Sequence, residues 1–280
     1  MKSLFLVVLF LWLFFWSYGQ SEESYFDDIS FRNTLQKGLE SLAKSEGVLS
    51  LSELKKQLLV QHPPFTFTGS GTSLGSQESI YEQCKKSVLA VGRLYNCGKC
   101  SKWHTSIASG FAIGADGIMV TNYHVLGKNK GEVLGVMDGK ERLFEIEKIL
   151  AASESDDLVV LKLRNARLTP LPIGEPAKVG SDVWVISHPD SNFFTISRGF
   201  VSRYHIQLRD SLPLKRMSIT ADFAKGSSGG PVLNQKGEVV GVVCSTVSIH
   251  YNQVGGLDAN LQMVVKNSVP VAALHRLLND

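Results

Sequence analysis

From about Ile80 onward, short apolar runs alternate with turn signals, and no other feature constrains the fold as strongly. The runs are Ser87–Val91, Ile107–Ile113, Ile118–Thr121, Leu158–Leu163, Val183–Ile186, Gly199–Ser202 and Val239–Val243. Between them lie turn sequences such as Gly114-Ala115-Asp116-Gly117 and Asn234-Gln235-Lys236-Gly237. Runs of this length bounded by Gly, Pro, Asn and Asp predict strands. Many of them, without regular strand–helix alternation, predict an all-β sandwich or barrel. Val271 to Leu278 has apolar residues at helical spacing and predicts a terminal helix packed on the sheets. A stretch of about 200 residues is ample for a sizeable core.

Three segments precede this region. Residues 1–19 read as a secretory signal: Met1-Lys2, an uncharged stretch from Leu4 to Trp16, then Ser17-Tyr18-Gly19 before Gln20. The stretch is short of the roughly 20 residues that a spanning helix needs, so no stable membrane anchor is expected after cleavage. Export to a secreted or periplasmic location follows. Residues 20–61 carry Phe31, Leu35, Leu39 and Leu42 at helical intervals, with a second short helix starting near Ser52. His62-Pro63-Pro64 ends helix formation, and the Gly/Ser/Thr-rich tract that follows makes 62–79 a linker. That leaves 80–280 as the main domain, with the 20–61 segment as a brace or arm. The formal charge of +3, without a dense basic run, argues against nucleic acid as a partner.

Four cysteines, Cys84, Cys97, Cys100 and Cys244, permit two disulfides in an oxidising compartment, with three possible pairings. Cys97-Gly98-Lys99-Cys100 with His104 also resembles part of a zinc site. No second CxxC or HxxxH pair completes four ligands, so the expectation is a disulfide or structural role and no metal site.

Three local patterns carry chemistry, in the order Thr121-Asn122-Tyr123-His124-Val125, Asp156-Asp157-Leu158-Val159-Val160-Leu161, and Gly226-Ser227-Ser228-Gly229-Gly230-Pro231. Singly each has a bland reading as a strand end, a turn or a flexible loop. Together, with Ser109-Gly110-Phe111-Ala112-Ile113 and the weaker Ser187-His188-Pro189 and Ser197-Arg198-Gly199, they resemble the chymotrypsin-fold serine proteases. Within these the resemblance is to the Deg/HtrA-like and related trypsin-like peptidases, from about Ser87 to Leu277. It implies two six-stranded antiparallel β-barrels with a helical N-terminal appendage and a C-terminal helix. It further implies a serine endopeptidase acting on peptides or proteins, with His124 as general base, Asp157 as orienting acid and Ser228 as nucleophile. Asp156 is the competing carboxylate; Asp157 is preferred because it directly precedes the strand.

That chemistry has a physical logic. A serine hydroxyl is a weak nucleophile until an imidazole takes its proton, and a buried carboxylate fixes the tautomer that can do so. The backbone amides of Gly226 and Ser228 would form the oxyanion hole. No metal or organic cofactor is needed. Asp222 stands where trypsin carries the acid of its primary pocket, although a structural role in the loop is the preferred reading. Cys244, Ser245 and Thr246 are expected to wall the pocket, where an extended substrate would add as a strand. The G-x-S-x-G elbow of α/β-hydrolases fails on context, because Gly229-Gly230-Pro231 cannot start the helix that must follow its serine. Deg proteins generally carry a PDZ domain after the protease, which is not expected here. His104, His188, His205 and His250 receive structural or solvated readings. The rival to the enzyme is a non-catalytic relative that binds peptides or proteins through the same cleft.

Overall fold

The computed structural model describes residues 25–58, 71–75, 79–127, 131–209 and 212–279. The expected signal at 1–19 lies outside them, as does most of the 62–79 tract. Twelve strands form two closed six-stranded barrels. The first holds β1 (Val88–Asn96), β2 (Trp103–Gly114), β3 (Ile118–Thr121), β4 (Gly131–Met137), β5 (Leu143–Ser153) and β6 (Leu158–Leu163). The second holds β7 (Asp182–Ser187), β8 (Thr195–Arg209), β9 (Leu212–Ile219), β10 (Pro231–Leu233), β11 (Val239–Val254) and β12 (Leu257–Pro270). Strand order is β1-β2-β3-β6-β5-β4 in one and β10-β11-β12-β9-β8-β7 in the other, with every pair antiparallel.

The near-continuous apolar runs have a simple cause. Successive side chains of a strand point to opposite faces, and here both faces are buried. In β1, Leu89 and Val91 fill the first barrel while Val88 and Ala90 face the seam between barrels. β6 repeats the division, with Val159 and Leu161 inward and Leu158 and Val160 at the seam. The second barrel is filled by Val183, Val185, Val201, Met217, Val232 and Val240.

Helices cover the flanks. α1 (Asp28–Leu42) begins at Asp27, whose carboxylate accepts the Ser30 N–H at 2.9 Å. This satisfies one of the amides orphaned at a helix start. Its stripe of Phe31, Leu35 and Leu39 is buried, with Leu35 and Leu39 lying over Gly92 of β1 and Leu39 over Gly135 of β4. α2 (Leu51–Gln57) opens with a capping box between Ser50 and Glu53, and its Leu51 and Leu54 join the core of the first barrel. α3 (Ile80–Cys84) leads into β1, and α4 (Val271–Asn279) packs Ala273 and Leu274 into the seam. Within the tract expected as a linker, 71–75 is docked: Leu74 N–H donates to the Lys236 carbonyl at 2.8 Å and Ser73 Oγ to Glu238 at 2.6 Å.

Phe31 ties α1 to the second barrel. Its ring lies 4.4 Å from that of Phe193 and 5.6 Å from that of Phe194, centroid to centroid, while Asp28 accepts the Phe193 N–H at 2.8 Å. Phe31→Ala should cost about 3–5 kcal/mol, the range for emptying an aromatic site in a core. Denaturant unfolding would show this as a lowered midpoint with an unchanged slope; a near-neutral result would mean that α1 is not held at this point.

The two disulfides that four cysteines permit are not formed, and of the disulfide or structural role expected for them the structural one remains: all four are free thiols. Cys84 is buried with its sulfur toward the Gly237 carbonyl at 4.0 Å, and Cys244 is buried against Asp157. Neither faces another sulfur, so the geometry a disulfide requires is missing for both.

Candidate active site

β3 ends at Thr121, and a single turn of 3-10 helix, Tyr123–Leu126, then carries His124 to the mouth of the seam. Asp157 sits just before β6 with a left-handed backbone, φ 64°, which turns its carboxylate back toward that turn. Such a φ is uncommon outside glycine, and Asp and Asn tolerate it best. The result is a close pair. His124 Nδ1 lies 2.8 Å from Asp157 Oδ2 and 3.1 Å from Oδ1, and the His124 backbone N–H donates to Oδ1 at 2.9 Å. Asn122 Nδ2 fixes the same residue from behind by donating to the Asp157 carbonyl at 2.9 Å.

The imidazole side chain is 47% exposed and the carboxylate 3%, so the histidine offers its far edge to solvent while its partner is enclosed. Burial pushes the Asp157 carboxyl up, but the hydrogen bonds and charge of His124, with a bond from Cys244, outweigh it and leave it below its ordinary value. An ionised carboxylate can only accept, so His124 carries a proton on Nδ1 and turns its Nε2 edge to the cleft. Asp156, the competing carboxylate, turns away and meets Arg276 at 3.2 Å.

Ser228 comes from the other barrel. It lines, with His124, Arg93, Ser106 and Gly226 among others, a cleft of about 200 Å³. Its hydroxyl donates to the Cys244 carbonyl at 3.4 Å instead of to the imidazole. The structure thus joins His124 to Asp157 directly and brings Ser228 to the same cleft without the final hydrogen bond. The amides of Gly226 and Ser228 have no acceptor among the described residues.

The loop that presents Ser228 depends on glycine. Gly226 has φ 99°, and a Cβ there would run into the His188 carbonyl. Gly229 has φ 86°, and a Cβ there would meet the Ser109 carbonyl and the Thr121 hydroxyl. Ser109, a β2 residue of the first barrel, is the clasp. Its N–H donates to the Ser228 carbonyl at 2.8 Å, its Oγ to the Gly226 carbonyl at 2.9 Å, and that Oγ accepts the His188 N–H at 3.1 Å. His188 itself is wholly buried, accepts the Phe194 N–H on Nδ1 at 3.0 Å, and is driven by burial down to about 4, so it is neutral and structural.

Two of the candidate pocket residues do not line the cleft, and for Asp222 this agrees with the preferred structural reading. Asp222 is a surface residue, its side chain 90% exposed and 3.3 Å from Lys266 Nζ, and it does not line the cleft. A specificity acid must lie at the bottom of a pocket; this one belongs to an ion pair that braces its loop, where Lys266 also donates to the Phe223 carbonyl at 2.6 Å. Cys244 does not present its side chain as a wall. Its thiol lies behind Asp157 and donates to Oδ2 at 3.1 Å; burial and the adjacent carboxylate push its pKa up to about 12, so it stays protonated as a donor. Only its carbonyl faces Ser228. Ser245 is half-buried and Thr246 exposed on β11, and β10 pairs with β11 only as far as Val242. Sequence reasoning missed the tasks of Ser109, Asn122 and the Cys244 thiol; the Ser-Gly-Phe-Ala-Ile run was the available signal for the first of these.

Two closed antiparallel barrels with this cleft at their seam define the chymotrypsin-type fold. Residues 108–242 match the model of the trypsin-like peptidase domain family. Over 139 residues it is 32% identical to a protein of Hahella chejuensis named as a DegP-like periplasmic serine endoprotease, covering 49% of this chain and 29% of that one. Over 147 residues it is 30% identical to a protein of Acetivibrio thermocellus named as an anti-sigma-I factor, covering 51% and 20%. The chain therefore spans less than a third of the length of these curated relatives. Among solved structures, the active form of a protease from M. tuberculosis superposes with a TM-score of 0.57 at 23% identity, covering 79% of this chain and 93% of that one; this likeness concerns the fold.

Proposed function

We propose that the chain is an exported serine endopeptidase that hydrolyses peptide bonds at Ser228. The observation that carries this reading is the 2.8 Å contact of His124 Nδ1 with the buried Asp157 carboxylate, at a cleft that Ser228 shares. In the proposed reaction the Ser228 hydroxyl rotates from the Cys244 carbonyl toward His124 Nε2, which takes its proton as Oγ attacks the peptide carbonyl. Asp157 holds the Nδ1–H and stabilises the imidazolium. The negative oxygen of the tetrahedral intermediate meets the Gly226 and Ser228 amides, each such donor being typically worth about 2.7–4 kcal/mol. The imidazolium then protonates the leaving amine, and water repeats the sequence to free the acid and restore Ser228. An extended peptide would lie along β11 beyond Val243, where the hydrogen bonds with Gly229 and Gly230 have ended. The periplasmic name of the Hahella relative, together with the leader-like first 19 residues, supports export.

A second reading, a peptide- or protein-binding module, is favoured by the Ser228 hydroxyl pointing to Cys244 and by the Acetivibrio relative, whose name is not that of a protease. A phosphonate activity probe separates the two. The enzyme gives a covalent adduct mapping to Ser228 by peptide mass analysis. Absence of adduct across pH and with added extended peptides would leave the binding module standing.

A further inference from the structure

The tip of the β1–β2 hairpin holds a cluster that the peptidase chemistry does not use. Tyr95 and His104 stand opposite each other in the register, their rings 5.6 Å apart and stacked, and the chain between them turns through Cys97 and Cys100. Cys97 Sγ lies 3.5 Å from Cys100 Sγ, and Cys100 Sγ lies 3.2 Å from His104 Nε2, with all three donor atoms inside 4.8 Å of one another. From these contacts we infer that Cys97, Cys100 and His104 bind one thiophilic divalent cation of the Zn²⁺ class.

The spacing is the first argument. A tetrahedral zinc with Zn–S near 2.3 Å and Zn–N near 2.0–2.1 Å separates its ligand atoms by roughly 3.5–3.8 Å. The observed separations need adjustments of a few tenths of an ångström to about one ångström, which an exposed loop can supply. A disulfide, with S–S near 2.05 Å, would need the sulfurs to close by far more than the zinc edge requires.

The turn supplies the second argument. Lys99 N–H donates to Cys97 Sγ at 3.4 Å, an interaction that favours sulfur as thiolate, and Gly98 N–H is held by Asn96 Oδ1 at 2.8 Å. Two thiolates and an imidazole form a soft donor set, which selects zinc over magnesium or calcium. Binding displaces the two thiol protons to solvent. Both cysteines are exposed, so the fourth position is open to water or an incoming ligand.

Such a metal would staple the hairpin whose Val91, Arg93, Ser106 and Ala108 wall the cleft. The site stands whether or not the cleft hydrolyses peptides, and its test is independent of activity. The full chain, freshly reduced and stripped by chelation, is titrated with Co²⁺ and then Zn²⁺. One equivalent of cobalt should give a thiolate charge-transfer absorption that zinc abolishes. The Cys97→Ser and Cys100→Ser proteins should lose it. His104→Ala should weaken zinc binding at least as much as the roughly 10- to 100-fold that loss of an outer-shell partner costs. The two cysteines lie at a solvent-exposed tip, and circular dichroism on each variant checks that it is folded. No charge-transfer band from the reduced wild type would overturn the assignment. So would a band that persists in a Cys97→Ser/Cys100→Ser double variant, or a Cys97–Cys100 disulfide in protein purified with zinc present throughout.

Discussion

Ser228→Ala is expected to lower kcat for peptide hydrolysis by on the order of 10⁶, as removal of the nucleophile does in an unrelated serine protease. Stability should be almost unchanged. The hydroxyl makes one long hydrogen bond, 3.4 Å to the Cys244 carbonyl, while the backbone that positions it is held independently. Ser109 binds the carbonyls of Gly226 and Ser228, and Gly229 and Gly230 exchange hydrogen bonds with Val243. Alanine keeps all of these. A residual rate above that of free water should remain, because the Gly226 and Ser228 amides still meet the oxyanion. The measurement is kcat on a peptide library beside thermal unfolding of both proteins. Undiminished hydrolysis by the folded variant would remove Ser228 from the reaction altogether.

Asp157→Asn should reduce kcat by about 10⁴ with little change in the fold. The surroundings decide which way the new amide points. The His124 backbone N–H already donates to Oδ1, so the amide oxygen takes that place and the NH₂ turns toward His124 Nδ1 and the Cys244 thiol. An N–H aimed at Nδ1 forces the imidazole proton onto Nε2, the nitrogen that must accept the proton of Ser228. The imidazole is then a donor where a base is required. The acid response shifts too. The Asp157 carboxyl lies below its ordinary value in the folded chain, so the stability it lends is present above the ordinary carboxylate pKa and lost as pH falls through the lower folded value. The Asn protein lacks that loss, and melting curves from neutral to acidic pH would show its stability falling less. Wild-type activity in the Asn protein would assign the orienting role elsewhere.

The barrels were legible because burial on two faces writes itself as continuous apolar sequence. Leu158 to Leu163 and Val183 to Ile186 are strands β6 and β7, and Phe31, Leu35 and Leu39 form the buried stripe of α1. His124, Asp157 and Ser228 were visible through three local patterns, each a few residues long. Contacts between distant side chains leave no such trace. Nothing near Cys244 in sequence says that its thiol meets a carboxylate 87 positions earlier. Asp222 shows the converse limit: spacing from Ser228 says where an acid falls along the chain, whereas its exposure and the Lys266 partner that give it the preferred structural role depend on how β12 passes its loop. Cys97, Cys100 and His104 were visible as part of a zinc pattern, whereas their close approach around a hairpin tip is a geometry that linear motifs do not encode.

The Ser109 clasp gives the molecule a mechanical hierarchy. One residue of the first barrel holds, through two hydrogen bonds, the loop by which the second barrel contributes its serine, and through a third the His188 amide beside it. Alignment of the two halves is therefore set by this pin and the buried apolar seam around it, and not by the outlying hairpins. Length and composition can drift at the far ends of β8–β9 and β11–β12 without moving the reacting groups. A hydroxyl lost at position 109 would loosen both halves at once.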